Sequence, residues 1–162
     1  MNQGLLRAAL FLPLALFAGG CANFSALAAG APAQEVTARV GAPGTVWKNP
    51  DGSELWEYPQ GPLGRETFMV TMGPDHAMRE IHQVLSNEYF SKVQAGMSRD
   101  DVGRILGRPG EIAFFNERGE ETWSWRYQQE VPMIFHVMFD RSAGTVRSTL
   151  RLQEILFQDP NC

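Results

Sequence analysis

AGMSRDDVGRILGRPG, residues Ala95 to Gly110, has a second copy in this chain, AGAPAQEVTARVGAPG, residues Ala29 to Gly44. Ala29/Ala95, Gly30/Gly96, Val36/Val102, Gly41/Gly107, Pro43/Pro109 and Gly44/Gly110 pair without a gap. After one inserted residue the correspondence resumes through Gly52/Gly119, Glu54/Glu121, Trp56/Trp123, Phe68/Phe135 and Val70/Val137. A matched period of this length predicts two stacked supersecondary units and therefore sets the fold before any single residue does.

The second copy shows the plan of each unit. Ser98 followed by Asp101 predicts a capped helix start, and Val102, Ile105 and Leu106 give that helix one apolar side. Gly107 ends it and Pro109 prevents resumption, so the duplicated Gly-x-Pro-Gly reads as a helix stop and a turn, with no chemistry of its own. Asn87 to Val93 predicts a short preceding helix. Four strands are then expected at Glu111 to Phe115, Glu121 to Gln129, Pro132 to Asp140 and Thr145 to Leu152, with hairpin loops at Asn116–Gly119 and Arg141–Gly144. Trp123, Trp125 and Tyr127 alternate and so share the sheet face that the helices cover. The first copy predicts one helix at Pro32 to Val40 and strands near Thr45 to Lys48, Ser53 to Tyr58, Glu66 to Met72 and Met78 to Leu85. The fold class is α+β, two tandem helix-helix/antiparallel-sheet repeats, at 32–86 and 87–162.

The first 21 residues have the order of a bacterial export signal. Arg7 precedes an apolar run from Ala8 to Phe17, which is too short to span a membrane, and Ala18-Gly19-Gly20 lead into Cys21. This arrangement resembles the lipobox of bacterial lipoproteins, in which the thiol is acylated, although Ala18 stands where Leu is usual. Ala22 then resembles lipoproteins sorted to the outer membrane. Cleavage after Ala26-Leu27-Ala28 is the alternative and would release a chain beginning at Ala29. Residues 22–31, rich in Ala and Gly, read as a tether.

Composition narrows the function classes. Lys and Arg number 14 against 18 Asp and Glu, for a net charge of −4. Removing residues 1 to 21 takes away Arg7 and no acid. Without a basic cluster, nucleic acid is not the expected partner. Cys162 is either a frayed end or an intermolecular disulfide partner, and the two cysteines form no framework. His76, His82 and His136 lack ligand spacing, so no metal is expected, although His82 and His136 could approach across a sheet. No nucleophile elbow, phosphate loop or Cys/His pattern suggests an enzyme, and no cofactor is expected. Asp100-Asp101 suits a helix N-terminus, and Glu120-Glu121 reads as a solvated hairpin flank. Trp47, Trp56 and Tyr58 read as core rather than a sugar platform.

The Pro132–Asp140 strand is apolar on both sides. Met133, Phe135, Val137 and Phe139 form one face and Ile134, His136 and Met138 the other, whereas a sheet covered on one side should alternate with polar residues. In the first copy the corresponding face holds Met69 and Thr71. Met69, Ile134, His136 and Met138 are therefore the candidate partner-binding face, methionine suiting an adaptable surface. The competing reading is that they pack the two copies together.

The run GMSRDDVGRILGRPG, followed by Trp-x-Trp-x-Tyr and an apolar strand, resembles the SmpA/OmlA (BamE-like) family of small outer-membrane lipoproteins. The tandem arrangement also resembles the β-lactamase inhibitor proteins, whose two helix-helix-sheet units hold an enzyme on a concave sheet face. The first resemblance implies a non-catalytic, lipid-anchored scaffold at the periplasmic face of the outer membrane that binds envelope or outer-membrane assembly proteins. The second implies a periplasmic or secreted inhibitor of a hydrolase such as a β-lactamase, with exposed loop tips at Pro50–Gly52 and Asn116–Gly119. Fold alone decides neither.

Overall fold

The residues that start and stop the helices also set where each sheet begins. The computed structural model describes residues 24–61 and 64–155. Among them, α1 (Ala33–Val40) precedes β1 (Thr45–Lys48), β2 (Glu54–Pro59), β3 (Thr67–Met72) and β4 (Met78–Gln83). Helices α2 (Asn87–Phe90) and α3 (Arg99–Leu106) precede β5 (Glu111–Phe115), β6 (Glu120–Gln128), β7 (Pro132–Asp140) and β8 (Thr145–Gln153). The strands form two separate four-stranded antiparallel sheets, β1-β2-β3-β4 and β5-β6-β7-β8, each in sequence order. The fold is mixed, with sheets dominating and few helices.

Local chemistry explains the ends. The Ser98 hydroxyl accepts the Asp101 N–H at 3.2 Å, while the Asp101 carboxylate accepts the Ser98 N–H at 2.9 Å, so two of the free donors of α3 are satisfied reciprocally. Gly41 and Gly107 close α1 and α3 at φ 88° and 78°, a region that a side chain disfavours.

The α1 side of the first sheet is lined by Trp56, Tyr58, Val70, Met72 and Met78 around Val36, which is wholly buried. Phe24 stacks on Phe68 with ring centroids 4.1 Å apart and meets the Tyr58 ring edge at 5.5 Å. A short 3-10 turn, Phe24–Ala26, and the Gly30 N–H bond to the Met78 carbonyl hold this segment on the sheet. The expected tether at 22–31 is thus packed protein from Phe24 onward, because one aromatic ring outweighs an Ala- and Gly-rich context once it finds two aromatic neighbours. Residues 1–21 and Cys162 lie outside the described residues.

The opposite side of the first sheet meets the second half of the chain. Met69, Trp47 and Leu55 join Phe90, Val93, Val102, Leu106, Trp125, Phe135, Val137 and Phe139 in one cluster. Helices α2 and α3 therefore lie between the sheets. Gly103, buried mid-helix, lies under Trp47, where a Cβ would meet the indole at 3.6 Å. Glu57 is fully buried at this joint. Its Oε1 accepts the Arg108 backbone N–H at 2.6 Å, and its Oε2 lies 3.7 Å from Arg108 Nε. A buried carboxylate requires such partners, which ties β2 to the turn after α3.

Glu121 corrects the expectation of a solvated pair at Glu120-Glu121. It is buried, receives Arg99 Nη2 at 2.6 Å and the Trp123 indole N–H at 2.6 Å, and so fixes α3 to β6. The Arg99 guanidinium holds its carboxyl below the ordinary carboxylate range.

Candidate protein-binding face

Alternation along β7 separates the candidate residues. Phe135, Val137 and Phe139 point to α2 and α3 and are buried, while Ile134, His136 and Met138 point the other way and are half-buried. The register extends that outer face. Leu152, Leu150 and Ser148 stand opposite Ile134, His136 and Met138 on β8, and Arg126, Ser124 and Thr122 stand opposite them on β6. None of Ile134, Met138, Leu150 and Leu152 belongs to either hydrophobic cluster. Leu150 and Leu152 remain 46% and 47% exposed. Among the described residues, then, no helix covers this face, and its apolar side runs along β7 and β8.

Met69 does not belong with them. It is 4% exposed and sits in the cluster between the first sheet and the α2–α3 layer, so it is a packing residue of the joint rather than part of an open partner face. The same physical need explains both outcomes: a sheet apolar on two sides must cover both, and the first sheet has the second half of the chain to cover it. Leu150 and Leu152 are the residues that the sequence reading left out. Their signal was Leu-x-Leu in the Thr145–Leu152 strand, which acquires a side only through its register with β7.

His136 sits at the middle of the face, with Nδ1 2.9 Å from the Ser124 hydroxyl. Burial pushes its pKa below the usual 6.5, while the nearby Glu111 carboxylate opposes that shift. A folded pKa below the unfolded one means that the native state binds fewer protons. The associated stability is present above about pH 6.5 and is lost as pH falls through the lower folded value. We expect native stability to fall on acidification from neutral to about pH 5, and expect His136→Gln to flatten that part of the profile in denaturant titrations. Identical slopes would show that His136 is not desolvated.

The polar members at the β6 end form a fixed frame. Arg126 Nε donates to Glu154 at 2.8 Å, and Arg65 Nη1 lies 2.7 Å from the other Glu154 oxygen. The network links the loop before β3 to the end of β8.

His82 is exposed on β4, paired with Glu80 at 3.1 Å, and borders a crevice of about 410 Å³ between the first sheet and the α2–α3 layer. It cannot meet His136 across a sheet, because the two lie in different sheets. No group of His, Cys, Asp and Glu among the described residues is arranged to hold a metal. Trp56 and Tyr58 are buried, and Trp47 packs into the joint, so these rings form no open stacking platform. The loop tips at Pro50–Gly52 and Asn116–Gly119 are exposed. No described helix is long and apolar enough to cross a membrane.

No family model and no curated protein matches the chain. It is similar to a crystal structure of a candidate β-lactamase inhibitor protein from Streptococcus mutans, with 11% identity over 76% of this chain and 83% of that one and a TM-score of 0.30. A likeness at that score carries no argument about activity.

Proposed function

We propose that this chain is a duplicated, non-catalytic binding module that receives a protein partner on the outer face of its second sheet. The observation that carries the reading is the uncovered apolar band of Ile134, Met138, Leu150 and Leu152 around His136. Contiguous apolar surface of this kind, rimmed by polar groups, suits a protein partner.

Matched local geometry supports the duplication. Gly30 and Gly96 both have φ 90°, and their N–H groups donate to Met78 and Val146 carbonyls. The Gly44 and Gly110 N–H groups likewise donate to the Glu57 and Ser124 carbonyls.

The lipobox-like segment supports placement at the periplasmic side of the outer membrane by acylation of Cys21, with an envelope or outer-membrane assembly protein as partner. The second reading is inhibition of a hydrolase, favoured by the two exposed loop tips.

Intact mass from a native membrane fraction tests the anchor: an acylated chain beginning at Cys21 supports it, and an unmodified chain beginning at Ala29 opposes it. A photo-crosslinker at position 138, with another at position 51, tests the surface. Crosslinks to an envelope protein from position 138 support the sheet-face reading. Crosslinks to a hydrolase from position 51 alone would replace it with the inhibitor reading.

A further inference from the structure

Four strand edges border the two sheets, and three of them carry features that discourage pairing with another chain. β1 is four residues long, ends in Lys48, and has the Arg108 guanidinium bonded to the Thr45 hydroxyl and the Gly44 carbonyl at its start. β4 carries Arg79 and Glu80 beside a register shift at Thr71/Met72. β8 carries Arg147 and Arg151 beside a shift at Met138/Phe139. Charges, brevity and bulges are the ordinary protections of an edge.

β5 is the least protected of the four: it is five residues long, and its only charge is Glu111 at its first position. Its sequence, EIAFF, contains no Lys, Arg or Pro, its register with β6 is regular, and Ile112, Phe114 and Phe115 are 46%, 57% and 45% exposed. Ile112 and Phe114 lie on the helix side of the sheet and Phe115 on the outer side, so the strand is apolar on both faces. We propose that β5 pairs antiparallel with β5 of a second copy, in a register centred on Ala113, so that two second sheets join edge to edge.

The strand is complementary to itself in that register. Ile112 stands opposite Phe114 of the second copy, a β-branched residue against an aromatic, and this pair occurs twice by symmetry. Glu111 stands opposite Phe115 of the second copy. Glu111 already lies 3.7 Å from Arg126 of its own chain, and Arg118, 5.9 Å over the Phe115 ring, would come to it from the second copy as a further guanidinium. The contact is isologous and uses up both β5 edges, which closes the assembly at two chains.

The free edge also decides against insertion of these aromatics into a membrane. Lipid would cover the unpaired N–H and C=O groups of β5 without satisfying them, whereas a second strand satisfies them. The pairing leaves the β7–β8 face open and does not depend on the binding role proposed for it.

Disulfide trapping of the full-length protein in intact cells that produce it, in a Cys162→Ser background, tests the pairing. Directly opposed antiparallel residues lie within reach of a disulfide, so Ala113→Cys should give a covalent dimer and Thr149→Cys on β8 should not. Glu111→Cys and Phe115→Cys should crosslink only when co-expressed. Phe114→Lys, an exposed position, should abolish trapping through Ala113→Cys while leaving the thermal transition in place. Absence of a dimer from Ala113→Cys, trapping that survives Phe114→Lys, or an equal yield from Thr149→Cys would overturn the proposal. Loss of vesicle binding in Phe114→Lys with trapping unchanged would assign the aromatics to a membrane instead.

Discussion

Met69→Asp is expected to unfold both halves of the protein in a single transition at much lower denaturant than the wild type. Met69 is 4% exposed and packs in the cluster that joins Trp47 and Leu55 of the first sheet to α2, α3 and the second sheet. An aspartate there leaves a cavity and places an unpaired carboxylate among apolar side chains. The expected cost is on the order of 4 kcal/mol or more, a large fraction of the roughly 5–15 kcal/mol available to a domain. Because the cluster spans both halves, fluorescence of Trp56 and of Trp125 should report one shared loss. Survival of either half in chemical denaturation would show that the joint is not a common core.

Gly107→Ala is the second large effect. Gly107 has φ 78° and ψ −173°, and a Cβ there would stand 2.7 Å from Glu57 Oε1 and 2.9 Å from Thr67 Cγ2. The backbone region alone costs about 1–3 kcal/mol for a residue with a side chain. The contact adds to this, since Glu57 is buried and cannot move without surrendering its bond to the Arg108 N–H. Gly41 supplies the control, with φ 88° and nothing within 4 Å of the added carbon. Gly41→Ala should cost the backbone strain only, and Gly107→Ala clearly more. Equal denaturation midpoints would remove Glu57 and the turn after α3 from the joint.

Much of the architecture was legible because it is local. The capping pair Ser98 and Asp101, the glycine-proline stops, and the alternation of Trp123, Trp125 and Tyr127 depend on neighbours within a few positions, and each acts as its chemistry requires. The site was only half legible. Alternation shows that Met69 and Met138 both lie on second apolar faces, yet nothing within a strand states what covers a face. That depends on how the halves stack, and stacking buries Met69 while leaving Met138 half-buried and outside both clusters. Glu121 was misread for the same reason, since its partner Arg99 is 22 positions away on another element. Phe24 was misread because composition describes a segment and not the one ring in it that finds Phe68 and Tyr58.

The difference between these two methionines is also where the assignment of surface and core is most exposed to test. Met138→Asp, measured by denaturant unfolding and by crosslinking to the envelope fraction from a probe at position 134, should fold within about 1 kcal/mol of the wild type and lose its partner crosslinks. A loss of several kcal/mol, as expected for Met69→Asp, or undiminished crosslinking by a folded variant, would contradict the assignment of the outer face of the second sheet as the binding surface.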